Sequence, residues 1–153
     1  IQNVSENKLD IVPMQGKKNQ AHLVLSSKLE RELSELEDPA ERLEFLQELG
    51  LQESALDRII GKTYDLLGLI TFLTVGEKEV RAWSIPRGAS AWEAAGAIHS
   101  DIQKGFIRAE VLGWQDFEYY GNFKNAKQAG VLRLEGKDYI VRDGDIITFR
   151  FNV

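Results

Sequence analysis

The chain has 153 residues, 43% apolar and 28% charged, with a formal net charge of −5, a composition that suits a globular protein with a sizeable core. It contains no cysteine, which excludes disulfides and thiolate metal sites. The negative balance argues against tight non-specific nucleic-acid binding, which needs many phosphate-neutralising cations.

The charge is uneven. Residues 1–64 hold 8 Lys+Arg against 12 Asp+Glu, and residues 65–153 hold 11 against 12, so a local basic patch remains open in the C-terminal part. No stretch of ~18 apolar residues suggests a membrane span, and no basic-then-apolar segment suggests a secretory signal. A cytoplasmic protein without a membrane partner is expected. The chain opens on Ile1 and its one methionine is Met14, which reads as a truncated or proteolysed piece.

In chain order, Ala21–Leu25 (A-H-L-V-L) reads as a short apolar strand after a polar loop, and it is expected to need neighbouring strands that this chain does not supply. Residues 28–49 carry helical spacing in two pieces divided at Asp38-Pro39-Ala40-Glu41, where Asp38 can cap, Pro39 suits the first helical position and Glu41 can complete a capping box. Gly50 then Leu51 reads as a left-handed helix end. Ser54 opens the next helix, with Leu56, Ile59, Ile60 and Leu67 at helical spacing. Leu43, Phe45, Leu46 and Leu49 are expected to pack between the two parts of the chain.

From Leu69 the period changes. Leu69–Val75 and Val80–Ile85 read as strands around a Gly76–Glu79 turn, ended by Pro86 and Gly88. Ser90-Ala91-Trp92-Glu93 is a capping box opening an Ala-rich helix to about His99. Phe106–Leu112 is a third strand, Trp114–Tyr120 and Asn125–Ala129 are short helices or turns, and Val131–Leu134 and Tyr139–Val141 are short strands. Asp143-Gly144-Asp145 turns the chain into a last strand, Ile146–Val153. This order is that of a β-grasp: a mixed sheet wrapped over one helix.

The residues are more specific than the order. Ile98-His99-Ser100-Asp101, Lys104-Gly105-Phe106-Ile107-Arg108-Ala109, Lys78-Glu79-Val80-Arg81-Ala82-Trp83 and the run from Glu135 to Val153 resemble the TGS domain of the Obg-like ATPases, the YchF family. The resemblance covers the whole chain, most densely from Gly68. It implies an α+β architecture: a β-grasp (ubiquitin-like) TGS domain at 68–153, preceded at 1–67 by a C-terminal fragment of an α/β P-loop GTPase-type domain. Asn3-Val4-Ser5-Glu6 then resembles the family's base-recognition motif, Asn-x-x-Glu, whose Glu goes with a preference for ATP. By the same resemblance the backbone at Val4 lies against the adenine edge, and Ser26-Ser27-Lys28 forms the second base-contacting loop. The intact parent is implied to use ATP or GTP with Mg²⁺.

The chain departs from that parent in one decisive respect. No G-x-x-x-x-G-K-[ST] occurs, and Gly16-Lys17, Gly61-Lys62 and Gly136-Lys137 lack its register. A P-loop cradles phosphates with backbone N–H groups, a Lys and a Mg²⁺-bound hydroxyl. Without it and without switch motifs, the chain alone is expected to need no cofactor and to be inactive as an ATPase.

Among candidate docking residues, His99 reads either as a cation at a helix C-terminus or as a partner contact. Arg81, Arg87, Lys104 and Arg108 read either as a solvated face or as a patch for RNA phosphates, helped by exposed aromatics such as Trp114 or Tyr120. Trp83, Trp92 and Phe106 read as core or edge packing, and Asp143-Gly144-Asp145 as a tight turn rather than carboxylate chemistry. The functional expectation is a module docking on the ribosome or another RNA–protein surface. The rivals are the parent's identity as an ATP hydrolase, and a structural β-grasp packing on the rest of its own nucleotide-binding domain.

Overall fold

The computed structural model describes residues 1–5, 22–76 and 79–152. Ala21, Glu77, Lys78 and Val153, at the ends or turns of expected strands, lie outside them. The chain divides into two compact units, Ile1–Leu67 and Gly68–Val153.

In the first unit, β1 (Gln2–Asn3) runs parallel to β2 (Val24–Leu25). Gln2 N–H donates to the Leu23 carbonyl and Val4 N–H to the Leu25 carbonyl, each at 2.8 Å. The sequence leaves this strand without a neighbour; the chain supplies one from its first residues, far enough away in sequence for the crossover that a parallel pair requires. Helix α1 (Ser27–Glu35) buries Leu29 and Leu33. Helix α2 (Pro39–Glu48) starts with Asp38 accepting the Ala40 N–H at 2.9 Å. It ends at Gly50, φ +68°, where Leu51 N–H closes back on the Leu46 carbonyl at 2.9 Å, as a left-handed helix stop requires.

The Glu30 carboxylate then takes the Ala55 N–H of α3 (Ala55–Leu67) at 2.8 Å, capping a helix from 25 residues away. Leu23, Leu25 and Ala55 form the small core with Ile59 against it. The expected apolar face of α3 is otherwise open: Leu56, Ile60 and Leu67 are exposed. Two two-residue strands and α1 offer too little surface to cover it.

The second unit is a five-stranded sheet in the order β4-β3-β7-β5-β6, formed by β3 (Leu69–Val75), β4 (Val80–Pro86), β5 (Phe106–Gly113), β6 (Arg133–Glu135) and β7 (Asp145–Phe151). β3 and β7 are parallel neighbours and the other pairs are antiparallel. Helix α4 (Ala91–Ile98) belongs to the core on one face, with Ala91, Ala94 and Ala95 fully buried beside Phe72, Ala109, Val111, Ile147 and Phe149. Alanines let the helix backbone come close to the sheet. Phe149 meets Phe72 and Phe106 edge-on at 6.1 and 6.0 Å, a favoured ring geometry.

On the opposite face Leu112 and Ile146 are paired in register and fully buried. Helix α6 (Trp114–Tyr120) packs against β5 and β7, and α7 (Phe123–Gln128) follows a left-handed Gly121.

Two local expectations change. A further short helix, α5 (Ser100–Lys104), follows α4 directly. Tyr139–Val141 is not a strand but an isolated bridge, Ser90 to Ile140. Ala91 N–H donates to the Tyr139 carbonyl at 2.7 Å, and Val141 N–H to that of Ala89 at 3.0 Å. The segment thus pairs with the loop entering α4 instead of a sheet edge. It also places Tyr139 on Asp145, which is 3% exposed. Asp145 Oδ2 accepts from Tyr139 Oη at 2.7 Å and Arg142 N–H at 2.9 Å, and Oδ1 from Arg133 Nη2 at 3.0 Å. Burial, then the hydrogen bond with Asp145, pushes the Tyr139 hydroxyl pKa up.

Candidate functional site

At the end of the first unit, β1 and the loop entering α1 bring Asn3, Val4 and Ser26 together. Asn3 Oδ1 accepts the Ser27 N–H at 3.0 Å. That bond occupies Oδ1 and leaves Nδ2 as a donor with no partner among the described residues. Val4 is held by the Leu25 carbonyl, and Ser26 is 3% exposed, at the N-terminus of α1. Glu6, the other side chain of the motif, lies outside the described residues. No group of three or more His, Asp or Glu that could hold a metal ion occurs among the described residues.

The docking residues fall into three places. Arg81 lies on β4 with its guanidinium carbon 4.3 Å over the Trp83 ring, a cation–π contact. It is paired with Thr74 and lies two residues from Trp83, so it shares the face that carries α4. His99 ends α4 and begins α5, and its Nδ1 accepts the Asp101 N–H at 3.2 Å. The His99 side chain is the N-cap of α5, and its Nδ1 also lies 3.5 Å from Asp101 Oδ2. Lys104 Nζ is 4.0 Å from Asp101 Oδ1, with its side chain 78% exposed.

Arg108 stands on the opposite face of the sheet from Arg81, because it alternates with core Ala109 and pairs across with Arg150. Arg150 holds Glu110 through two bonds of 3.0 Å, and Arg108 Nη2 is 3.8 Å from the same carboxylate. The Arg150 hydrogen bond, against burial and with the charges of Arg150, Arg108 and Lys127, holds the Glu110 carboxyl below its ordinary value. Arg150 and Arg108 thus flank one acid, and Lys127 adds a weaker positive charge to it. Arg150 and Lys127 are missing from the sequence reading because they come from β7 and α7. Only the alternation Phe149-Arg150-Phe151 hinted that Arg150 faces out.

The aromatics divide as well. Phe106 is core, Trp83 packs against the core, and Trp92 and Trp114 are 42% and 50% exposed. Trp114 borders a cavity of about 400 Å³ that also takes in Arg133, Arg142, Asp143 and Gly144.

Fold and geometry together define a mixed α/β protein in which a short parallel pair with helices precedes a five-stranded mixed sheet. The YchF-GTPase_C family model, described as a protein of unknown function (DUF933), matches residues 69–152. The chain is 49% identical over 149 residues, 97% of its length, to the ribosome-binding ATPase YchF of Bacillus subtilis, of which it covers 40%. It is 56% identical over 125 residues, 82% of its length, to the protein of that name from Pasteurella multocida, covering 34% of it. The chain therefore spans well under half the length of these relatives. Among solved structures, the Schizosaccharomyces pombe YchF GTPase superposes on 86% of the chain with a TM-score of 0.72 at 34% identity, over 34% of its own length. A GTP-binding protein from Pyrococcus horikoshii OT3 shares the fold over 85% of the chain and 38% of its own length, with a TM-score of 0.56 at 20% identity. The chain belongs to the YchF family. No helix among the described residues is long and apolar enough to cross a membrane.

Proposed function

We propose that the chain is the C-terminal portion of a cytoplasmic, ribosome-associated ATPase, in which Gly68–Val153 is a β-grasp TGS domain that docks on the ribosome or another RNA–protein surface. Ile1–Leu67 is then the C-terminal fragment of the P-loop nucleotide-binding domain. The observation that carries this reading is the similarity to the Bacillus subtilis ribosome-binding ATPase, which runs through both units. The sheet supports the TGS assignment, since its parallel central strands come from the two ends of the unit and α4 lies in the core.

In the parent, Asn3 Nδ2 donates to a purine ring nitrogen and the Val4 backbone borders the base. Asn3, Val4 and Ser26 fit the base end of ATP or GTP. The chain's residues do not fit the phosphates or Mg²⁺, since no P-loop sequence is present. No catalytic step is assigned to this chain. The docking surface is the cluster Arg108, Lys127 and Arg150, with His99 and Lys104 as neighbours in sequence and Arg81 as a separate contact.

Co-sedimentation with ribosomes at low salt tests this. The chain is expected to pellet, and Arg108→Glu with Lys127→Glu to release it. Absence of pelleting, or pelleting indifferent to the reversal, defeats the docking role. A second reading, a structural unit packing on the rest of its own nucleotide-binding domain, is favoured by the exposed Leu43, Leu56, Leu66 and Leu67. It predicts binding of an apolar dye such as ANS without ribosome pelleting.

A further inference from the structure

We infer that the cleft between the β5–α6 junction and the turn entering β7 receives one nucleotide of single-stranded RNA, with its base on Trp114 and its phosphate on Arg142. This rests on the docking role proposed above and assigns it a reading element. The cleft's volume, about 400 Å³, falls in the lower range of cavities that enclose small ligands. Trp114 opens α6 with half its surface exposed. A Cβ added at Gly144 would lie 3.7 Å from the Trp114 Cβ, so the residue stands at the turn. An exposed indole at the wall of a polar cleft is a stacking platform that accepts any base.

The two arginines of the cleft differ. Arg133 is committed: its Nη2 binds Asp145 at 3.0 Å and its Nη1 binds Tyr139 Oη at 2.9 Å. Arg142 is exposed and its guanidinium makes no ion pair among the described residues, which leaves a planar fork for a phosphate. Asp145 is consumed by its three donors. Asp143 gives Oδ1 to the Thr71 N–H at 2.8 Å, and its other oxygen and Asp116 remain as acceptors in the wall. Carboxylates there oppose a bare polyanion, but they accept from the exocyclic amino group of a base. Cation, acceptor and ring together match a nucleotide and not a phosphate alone.

The test follows the indole and backbone N–H signals of the whole chain by NMR while hexaadenylate RNA is added, with AMP in a parallel titration. The Trp114 indole and the Arg142 and Gly144 amides are expected to shift with hexaadenylate. Trp114→Ala and Arg142→Glu should each weaken binding about five-fold or more, while Trp114→Phe, which keeps a ring, retains most of it. Dispersed spectra of the variants establish that they fold. Shifts confined to Arg108, Lys127 and Arg150, or an AMP affinity equal to that of hexaadenylate, would overturn the assignment. If the chain pellets with ribosomes but these signals stay still, this inference fails and the docking role stands. If the signals move but no pelleting occurs, the cleft stands and the docking role fails.

Discussion

Gly105 sits where α5 ends and β5 begins, with φ −86°, a backbone any residue adopts. What it requires is space. Asn152 N–H donates to the Gly105 carbonyl at 2.9 Å, and a Cβ at 105 would collide with the Asn152 carbonyl oxygen. Backbone cannot move aside as a side chain can, so Gly105→Ala should destabilise the second unit by about 2–3 kcal/mol, read as a lower denaturant midpoint at unchanged slope. Lys104-Gly105-Phe106 was legible as a family motif, but the reason for its glycine was not, since Asn152 is 47 residues away in the chain. His99 shows the same limit. Its place after an alanine helix suggested a helix C-terminus alone, whereas its capping contact with Asp101 depends on α5 starting at the next residue.

The elements legible in the sequence are those defined by neighbours along the chain. Ser90-x-x-Glu93 is one: Glu93 N–H donates to Ser90 Oγ at 3.3 Å, and Glu93 Oε2 accepts the Ser90 N–H at 2.7 Å. Ser90→Ala should cost about 1 kcal/mol, measured by chemical denaturation. The backbone bond from Ser90, aided by its hydroxyl, lowers the Glu93 pKa from 4.5. A carboxyl depressed on folding binds protons less readily in the native state, so its stabilisation is full above the ordinary value and is lost as pH falls through the folded one. The difference between native chain and Ser90→Ala should therefore be constant near neutrality and shrink below about pH 4. A difference that grew on acidification would contradict this. Tyr139–Val141 misled because its alternation is that of a strand, while its partner is the loop entering α4.

At the scale of the whole molecule, two compact units carry different shares of charge, and the acidic share belongs mainly to the first. Any attraction to RNA therefore depends on a local cluster and should weaken steeply with salt. The nucleotide prediction also belongs here. Isothermal titration of ATP into the chain should give no specific heat, since the base-binding role proposed for Asn3, Val4 and Ser26 includes no phosphate contact; micromolar binding would show that the P-loop is dispensable. The sequence by itself determined the family, most of the strands and helices after Gly68, the capping box and the lack of a G-x-x-x-x-G-K-[ST] run, because all of these depend on residue identity and short spacing. Tertiary structure alone decided that β1 pairs with β2 and that Asn3 is oriented by Ser27. It alone separated Arg81 from Arg108 on opposite sheet faces, and it gathered Arg150 and Lys127 around Glu110. Those outcomes follow from strand order and register, which join residues far apart in the chain and have no local signature.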